Sequence, residues 1–143
     1  MIGGMTAIAG QTRDETQPIR CPACAAAMEP VPFGGVTVER CTACRGLWFD
    51  AREQERLRDL PGAEAIDLGV PPAGPAAVVP PAKRQCPVCH TAMIGMADHR
   101  QPHLHFESCT VCYGAFFDAG EFRDYKEVTL AESVRRLFGL RKK

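Results

Sequence analysis

The residues of this 143-residue chain with the most chemistry to offer are its eight cysteines, and all of them fall into Cys-x-x-Cys pairs. The pairs are Cys21/Cys24, Cys41/Cys44, Cys86/Cys89 and Cys109/Cys112, with sixteen residues between the first two and nineteen between the last two. A Cys-x-x-Cys turn presents two thiolates at one corner of a tetrahedron, and an intervening hairpin can bring a second pair to the opposite corner. The spacing therefore predicts two structural Zn2+ ions, each held by four cysteines. Iron-sulfur ligation by the same four thiolates is left open by spacing alone. Disulfides are disfavoured because the opening "MIGGMTAIAGQTRDETQ" has no positive residue before its short apolar patch and does not read as a secretory signal. A thioredoxin-type motif needs one Cys-x-x-Cys in a strand-helix context, which four paired motifs do not provide.

Two hairpins must position these pairs, and the chain encodes them twice. "CRGLWFDAREQERL" at residues 44–57 returns as "CYGAFFDAGEFRDY" at residues 112–125, and "CPAC" at residues 21–24 as "CPVC" at residues 86–89. Met28 and Met93 each follow seven residues after the first cysteine, and "VTVERC" is answered by "LHFESC". The repeat is about 40 residues long, a size at which a hydrophobic core rarely sustains a fold without a metal or disulfides. In each copy a strand leaves the first knuckle, turns through "PFGGV" or "MADHRQP", and returns to the second knuckle. Gly46 and Gly114 are expected to adopt positive φ there, so that amides point at the sulfurs. A short strand, "LWF" or "AFF", precedes a helix for which Asp50 and Asp118 read as N-caps, with Glu53 and Glu121 completing capping boxes.

The fold class is thus two small metal-stabilised domains, zinc ribbons of short antiparallel β plus a C-terminal helix, joined by a Pro/Ala-rich linker. The boundaries are a flexible N-terminus (1–19), ribbon 1 (20–60), the linker (61–84), ribbon 2 (85–126) and an amphipathic helix with a basic tail (129–143). The pattern CPxC, Met, then V-x-x-C-x-x-C-x-G-x-W-F-D-x-x-E-x-x-x-L resembles the bacterial zinc-ribbon family named after the zinc-binding domain of transcription factor IIB, in two tandem copies. Gly46, Trp48, Phe49, Asp50, Glu53 and Gly114, Phe117, Asp118, Glu121 carry the resemblance beyond the cysteines. The second copy departs in having Phe116 where the family usually has Trp, and in a longer, His-rich hairpin. The resemblance implies fold and zinc, and a transcription-associated or regulatory role.

Charge bears on the choice of partner. Residues 20–60 hold six arginines against six acids, residues 83–128 five cations against six acids, and the chain is formally neutral. Four thiolates around one Zn2+ add −2 per site, so the loaded protein lies near −4, whereas a protein built on phosphate contacts shows a basic face. Arg40 and Arg45 flank the second knuckle of repeat 1, where they either offset the charge of the metal centre or, with Arg20 and Arg52, form a small phosphate-contacting edge. His90, His99, His103 and His105 all lie in repeat 2 and read as solvated once each four-thiolate set is complete. Trp48 and Phe116 read as core rather than as a stacking platform, because a domain this small needs aromatics to cover its metal knuckle.

Residues 61–84 read as a semi-extended spacer of roughly 25 to 65 Å that tethers two separate modules. The terminal "TLAESVRRLFGLRKK" starts with a capping box at Thr129 and Glu132 and carries Leu130, Val134, Leu137 and Phe138 on one stripe, too short to span a bilayer. No catalytic constellation emerges, so the sequence reads as a cytoplasmic, non-catalytic zinc-binding module. Its partner is nucleic acid or another protein, and its helices offer self-packing or homodimerisation. A protein-protein adaptor without nucleic-acid binding and a redox-sensitive zinc switch are the competing functions.

Overall fold

A computed structural model of the chain describes residues 18–75, 77–98 and 101–127. The first seventeen residues, His99 and the C-terminal segment 129–143 lie outside them.

Repeat 1 contributes β1 (Met28–Phe33), β2 (Val36–Cys41), β3 (Leu47–Phe49) and helix α1 (Glu53–Arg58). Repeat 2 contributes β4 (Ile94–Asp98), β5 (Gln101–Ser108), β6 (Ala115–Phe117) and α2, helical over residues 121–127. The β1–β2 hairpin closes through Gly34 and Gly35, at φ 58° and 80°. Two successive residues of positive φ between paired Phe33 and Val36 make the two-residue turn that suits the twist of the flanking strands. Pro30 and Pro32 fall on β1, an edge strand where a missing N–H costs no ladder bond and discourages further pairing.

All six strands form one sheet in the order β1-β2-β3-β6-β5-β4. The two repeats meet where β3 pairs antiparallel with β6, in the register Leu47↔Phe117, Trp48↔Phe116 and Phe49↔Ala115. In the repeat alignment Leu47 corresponds to Ala115, Trp48 to Phe116 and Phe49 to Phe117. The pairing therefore maps onto itself when the repeats are exchanged, and one chain has built internally the kind of contact that a two-fold dimer makes between chains.

Alternation along β3 and β6 sorts their side chains to two faces, both covered. On one face Trp48 and Phe116 pack with Cys21, Cys41, Cys86 and Cys109 in a single cluster. On the other, Leu47, Phe49, Ala115 and Phe117 pack with Val36, Val38, Leu57 and Phe122 under the helices. Phe117 is the hub there, edge-on to Phe49 at 5.3 Å and stacked on Phe106 at 4.5 Å. Arg58 of α1 donates to the Tyr125 hydroxyl of α2 at 3.2 Å, tying the two helices together.

The connecting segment does not hold the repeats apart. Ala63 and Ile66 lie buried in the helix-side core, and Asp67 is fully buried. Further on, Val79 donates its N–H to Ala23 O at 2.6 Å. The Pro/Ala-rich composition conceals these anchors, and their burial outweighs the freedom that an unattached linker would keep. Asp67 also corrects the expected cap of the second helix. Its Oδ1 accepts the Gly120 N–H at 2.8 Å and its Oδ2 the Arg123 N–H at 3.0 Å, so the start of α2 is capped by the connecting segment. The Arg123 guanidinium in turn donates to Asp67 O at 2.8 Å. Asp118 pairs instead with Arg84.

Replacing Asp67 with Ala takes the acceptor away from these part-buried amide donors. The variant should lose about 1 to 2 kcal/mol in urea unfolding of the zinc-loaded protein. A loss below about 0.5 kcal/mol would mean that the α2 start does not depend on this side chain.

Candidate metal centres

Each cage is assembled from two knuckles, and the four knuckles share one local geometry. After the first cysteine of every pair the chain folds back so that the residue four positions on donates its N–H to that cysteine's carbonyl: Ala25 to Cys21, Arg45 to Cys41, His90 to Cys86 and Tyr113 to Cys109, at 2.8 to 3.2 Å. These four residues take left-handed φ values of 62° to 69°. The strained position is thus the residue before Gly46 and Gly114, and not the glycines for which it was expected. A non-glycine residue held there costs on the order of 1 kcal/mol or more, which the bonds of the knuckle must offset.

The turn aims backbone amides at sulfur. Ala23 N–H points at Cys21 Sγ, and the Ala43 and Cys44 amides at Cys41 Sγ, all at 3.3 Å. Val88 and Cys89 donate to Cys86 Sγ, and Val111 and Cys112 to Cys109 Sγ, at 3.2 to 3.4 Å. Such donors spread the negative charge of a thiolate cage into the backbone.

In each repeat the four Sγ atoms lie within 4.8 Å of one another. The closest approaches are Cys24–Cys41 at 3.4 Å, Cys21–Cys44 at 3.6 Å and Cys86–Cys112 at 3.7 Å. Four thiolates about 2.3 Å from a tetrahedral zinc stand about 3.8 Å apart, so both cages fit the ion closely. Cys21, Cys24, Cys41 and Cys44 are positioned to hold one Zn2+, and Cys86, Cys89, Cys109 and Cys112 a second. In each set the first and third cysteines are buried and the second and fourth half-buried.

As thiols the eight groups differ. The bond between Cys21 and Cys44 pulls the Cys44 thiol down to about 5 and pushes Cys21 up. The bond between Cys86 and Cys112 likewise pulls Cys86 down to about 5 and pushes Cys112 up. Burial pushes Cys89 up to about 11. Zinc must displace the protons these raised thiols retain, so its affinity falls as pH falls.

Four cysteines at knuckle spacing, repeated on hairpins that share their register next to the knuckles, decide the family. The chain belongs to the transcription factor zinc-finger family. That family's model matches residues 20–59 and 85–128, more than half of the chain. No curated protein and no solved structure matches it. Within this transcription factor zinc-finger frame, the residues around the cages depart from the sequence expectations in instructive ways.

Gly46 and Gly114 are required by close approach. A Cβ on Gly114 would stand 2.2 Å from the Trp48 ring, and one on Gly46 would stand 2.4 Å from the Phe116 ring. Each ring belongs to one repeat and lies on the second knuckle of the other. Both are fully buried, as befits core residues.

The two copies stabilise their aspartates differently. Trp48 Nε1 donates to Asp50 Oδ1 at 3.1 Å, while the Asp50 N–H donates to Glu53 Oε1 at 3.0 Å, which is half of the expected capping box. Phe116 has no N–H to give. In its place Arg84, at the position of Ile19 in repeat 1, donates to Asp118 Oδ2 at 2.9 Å and to Glu107 Oε1 at 2.8 Å, with its guanidinium 5.4 Å from the Phe116 ring centre. Glu121 accepts the His105 N–H at 3.1 Å instead of closing a capping box. Arg84 and Asp67 are the residues that sequence reasoning missed. The signal available for Arg84 was the joint change of Ile19 to Arg and Trp48 to Phe between copies.

Arg40 serves neither of its expected roles. It turns to the helix face, donating to Ile66 O at 3.0 Å and pairing with Glu29 at 3.4 Å. Arg45 sits on the knuckle itself, Arg20 reaches Ala25 O at 3.3 Å, and Arg52 pairs with Glu55 on the surface. His90 and His105 are exposed, and His103 lies on β5.

Because the knuckles surround the sulfurs, removing zinc should dismantle both repeats. Excess chelator should abolish the native circular dichroism, and acidification should release zinc before other bonds fail. A near-native spectrum after confirmed metal loss would show that the sheet stands without the cages.

Proposed function

We propose that this protein is a non-catalytic, zinc-built recognition module that contacts other proteins, in the transcription-associated or regulatory setting that the family's name suggests. The observation that carries this reading is which side chains face outward. Trp48 and Phe116 are buried and Arg40 is engaged, so both rings suited to stacking on bases and one of the arginines suited to phosphates are consumed internally. Repeat 2 instead exposes apolar side chains: Val111 and Tyr113 on its second knuckle, at 41% and 50%, and Ile94 and Met96 on the edge strand β4. Apolar and aromatic side chains amid polar surface characterise protein contacts. Four-cysteine cages complete at four ligands support a structural role for zinc. Free thiols committed to metal fit a reducing, cytoplasmic environment. Among the described residues no helix is long and apolar enough to cross a membrane.

Nucleic-acid contact is the second reading, and one feature favours it. A groove of about 450 Å³ runs between the first knuckles of the two repeats, lined by Arg20, Lys83 and His90 with Pro22 and Pro87, and no carboxylate lines it. Its cations lie beside the first knuckles, where they offset the charge of the cages.

A salt titration of mixed DNA and RNA against the zinc-loaded protein separates the two. On the protein-contact reading no binding is expected at about 50 mM salt. Binding that weakens steeply with salt and disappears in an Arg20→Ala/Lys83→Ala double variant would overturn it in favour of the groove.

A further inference from the structure

We infer that the two zinc sites are thermodynamically coupled, so that loading either one raises the affinity of the other, through Trp48 and Phe116. This goes beyond zinc binding as such, since two cages on one chain could fill independently.

Each ring is covalently tied to one cage and packed against the other. Trp48 lies four residues after Cys44 and covers Gly114, which follows the ligand Cys112 by two residues. Phe116 lies four residues after Cys112 and covers Gly46, two residues after Cys44. The buried cysteines of both cages share one cluster with these rings, so the surface that receives each ring is itself shaped by metal ligation.

Backbone bonds fix the receiving surfaces. Gly46 O accepts the Cys41 N–H at 2.8 Å and Gly114 O the Cys109 N–H at 3.0 Å, so each glycine belongs to the knuckle that the metal closes. Without that closure the left-handed residues Arg45 and Tyr113 have less to hold them, and the neighbouring glycine loses its place under the ring. Arg84 extends the link. It stands two residues before Cys86, reaches Glu107 and Asp118 and lies beside the Phe116 ring, which itself packs on the first cage's knuckle.

A cage that closes thus completes the packing surface of its neighbour. The second ion then meets a knuckle already ordered, and by linkage the effect is equal in both directions. The physical element is a discrete one, the pair of rings seated or unseated across β3 and β6.

The test uses the full chain. In zinc-buffered solution at half saturation, native mass spectrometry counts the forms with none, one and two ions. Independent equal sites give about half of the one-zinc form, and tenfold coupling lowers it to about a quarter. In parallel, Cys89→Ser disables the second site and Cys24→Ser the first, and competition with a chromophoric chelator measures the intact site of each variant. Each should bind zinc about tenfold or more weakly than the same site in the parent with its neighbour filled. The single tryptophan gives an independent readout, because zinc entering site 2 of the Cys24→Ser variant should shift Trp48 emission although Trp48 belongs to repeat 1. Phe116→Ala, with both cages intact, should bring the one-zinc form back toward half. Intact sites that keep the parent affinity within about twofold overturn the inference. If the serine variants do not fold, the parent and Phe116→Ala titrations decide together: a one-zinc form that does not rise in Phe116→Ala overturns the inference, and one that is clearly below half in the parent and rises in the variant supports it.

Discussion

The Trp48 ring on Gly114 and the Phe116 ring on Gly46 join two metal knuckles that neither repeat could cover by itself. A ribbon of about 40 residues buries too little surface to be secure, and zinc supplies much of what is missing. The ion closes the loops but leaves two things open, the flank of the knuckle and the free edge of the third strand. An unpaired strand edge invites pairing with whatever meets it. Here the other copy meets it first. β3 and β6 pair, both faces of the resulting ribbon are buried, and the metal cluster and aromatic cluster form on opposite sides of the same two strands.

The internal symmetry is close without being complete, and its departures follow from what each change removes. Losing the indole N–H at Phe116 would leave Asp118 short of a donor that Asp50 has. Arg84 provides one, and Glu107 shares its charge, with Arg84 and Glu107 both at 3% exposure. A buried ion pair of this kind contributes little net stability compared with apolar packing, since desolvation consumes most of the attraction. Burial pushes Glu107 upward against the Arg84 guanidinium beside it. Its value lies in being costly to break by halves. Removing Arg84 alone would leave Glu107 buried with its charge uncompensated, so the pair specifies one arrangement around Phe116.

The cages were legible in the sequence because metal ligands are read by type and spacing, and because the chain states them twice. The β1–β2 turn was legible from Gly34 and Gly35 for a similar reason, a local conformation with few residues able to adopt it. What escaped was non-local. No spacing rule reveals that β3 pairs with β6 across 65 intervening residues, between 49 and 115. Gly46 and Gly114 mislead in the sequence: a glycine beside a tight turn suggests positive φ, whereas its missing Cβ here makes room for a ring from the other copy. Asp67 was hidden in a stretch whose prolines and alanines describe an unattached spacer. One buried carboxylate, accepting two α2 amides, was enough to turn the segment back onto the ribbons. Arg40 shows the limit of proximity along the chain, since residues next to a ligand on a strand point to the opposite face.

The shared sheet changes what duplication provides. Two ribbons on a free tether would gain avidity in proportion to the effective concentration set by the linker, and would tolerate variable spacing between the sites they bind. Two ribbons locked through β3 and β6 lose that tolerance. They present one surface of fixed geometry, whose ordering cost is met during folding and not at the moment of binding. The same lock that fixes this surface makes it depend on both cages at once, so the metal content of either site bears on the shape presented by the whole.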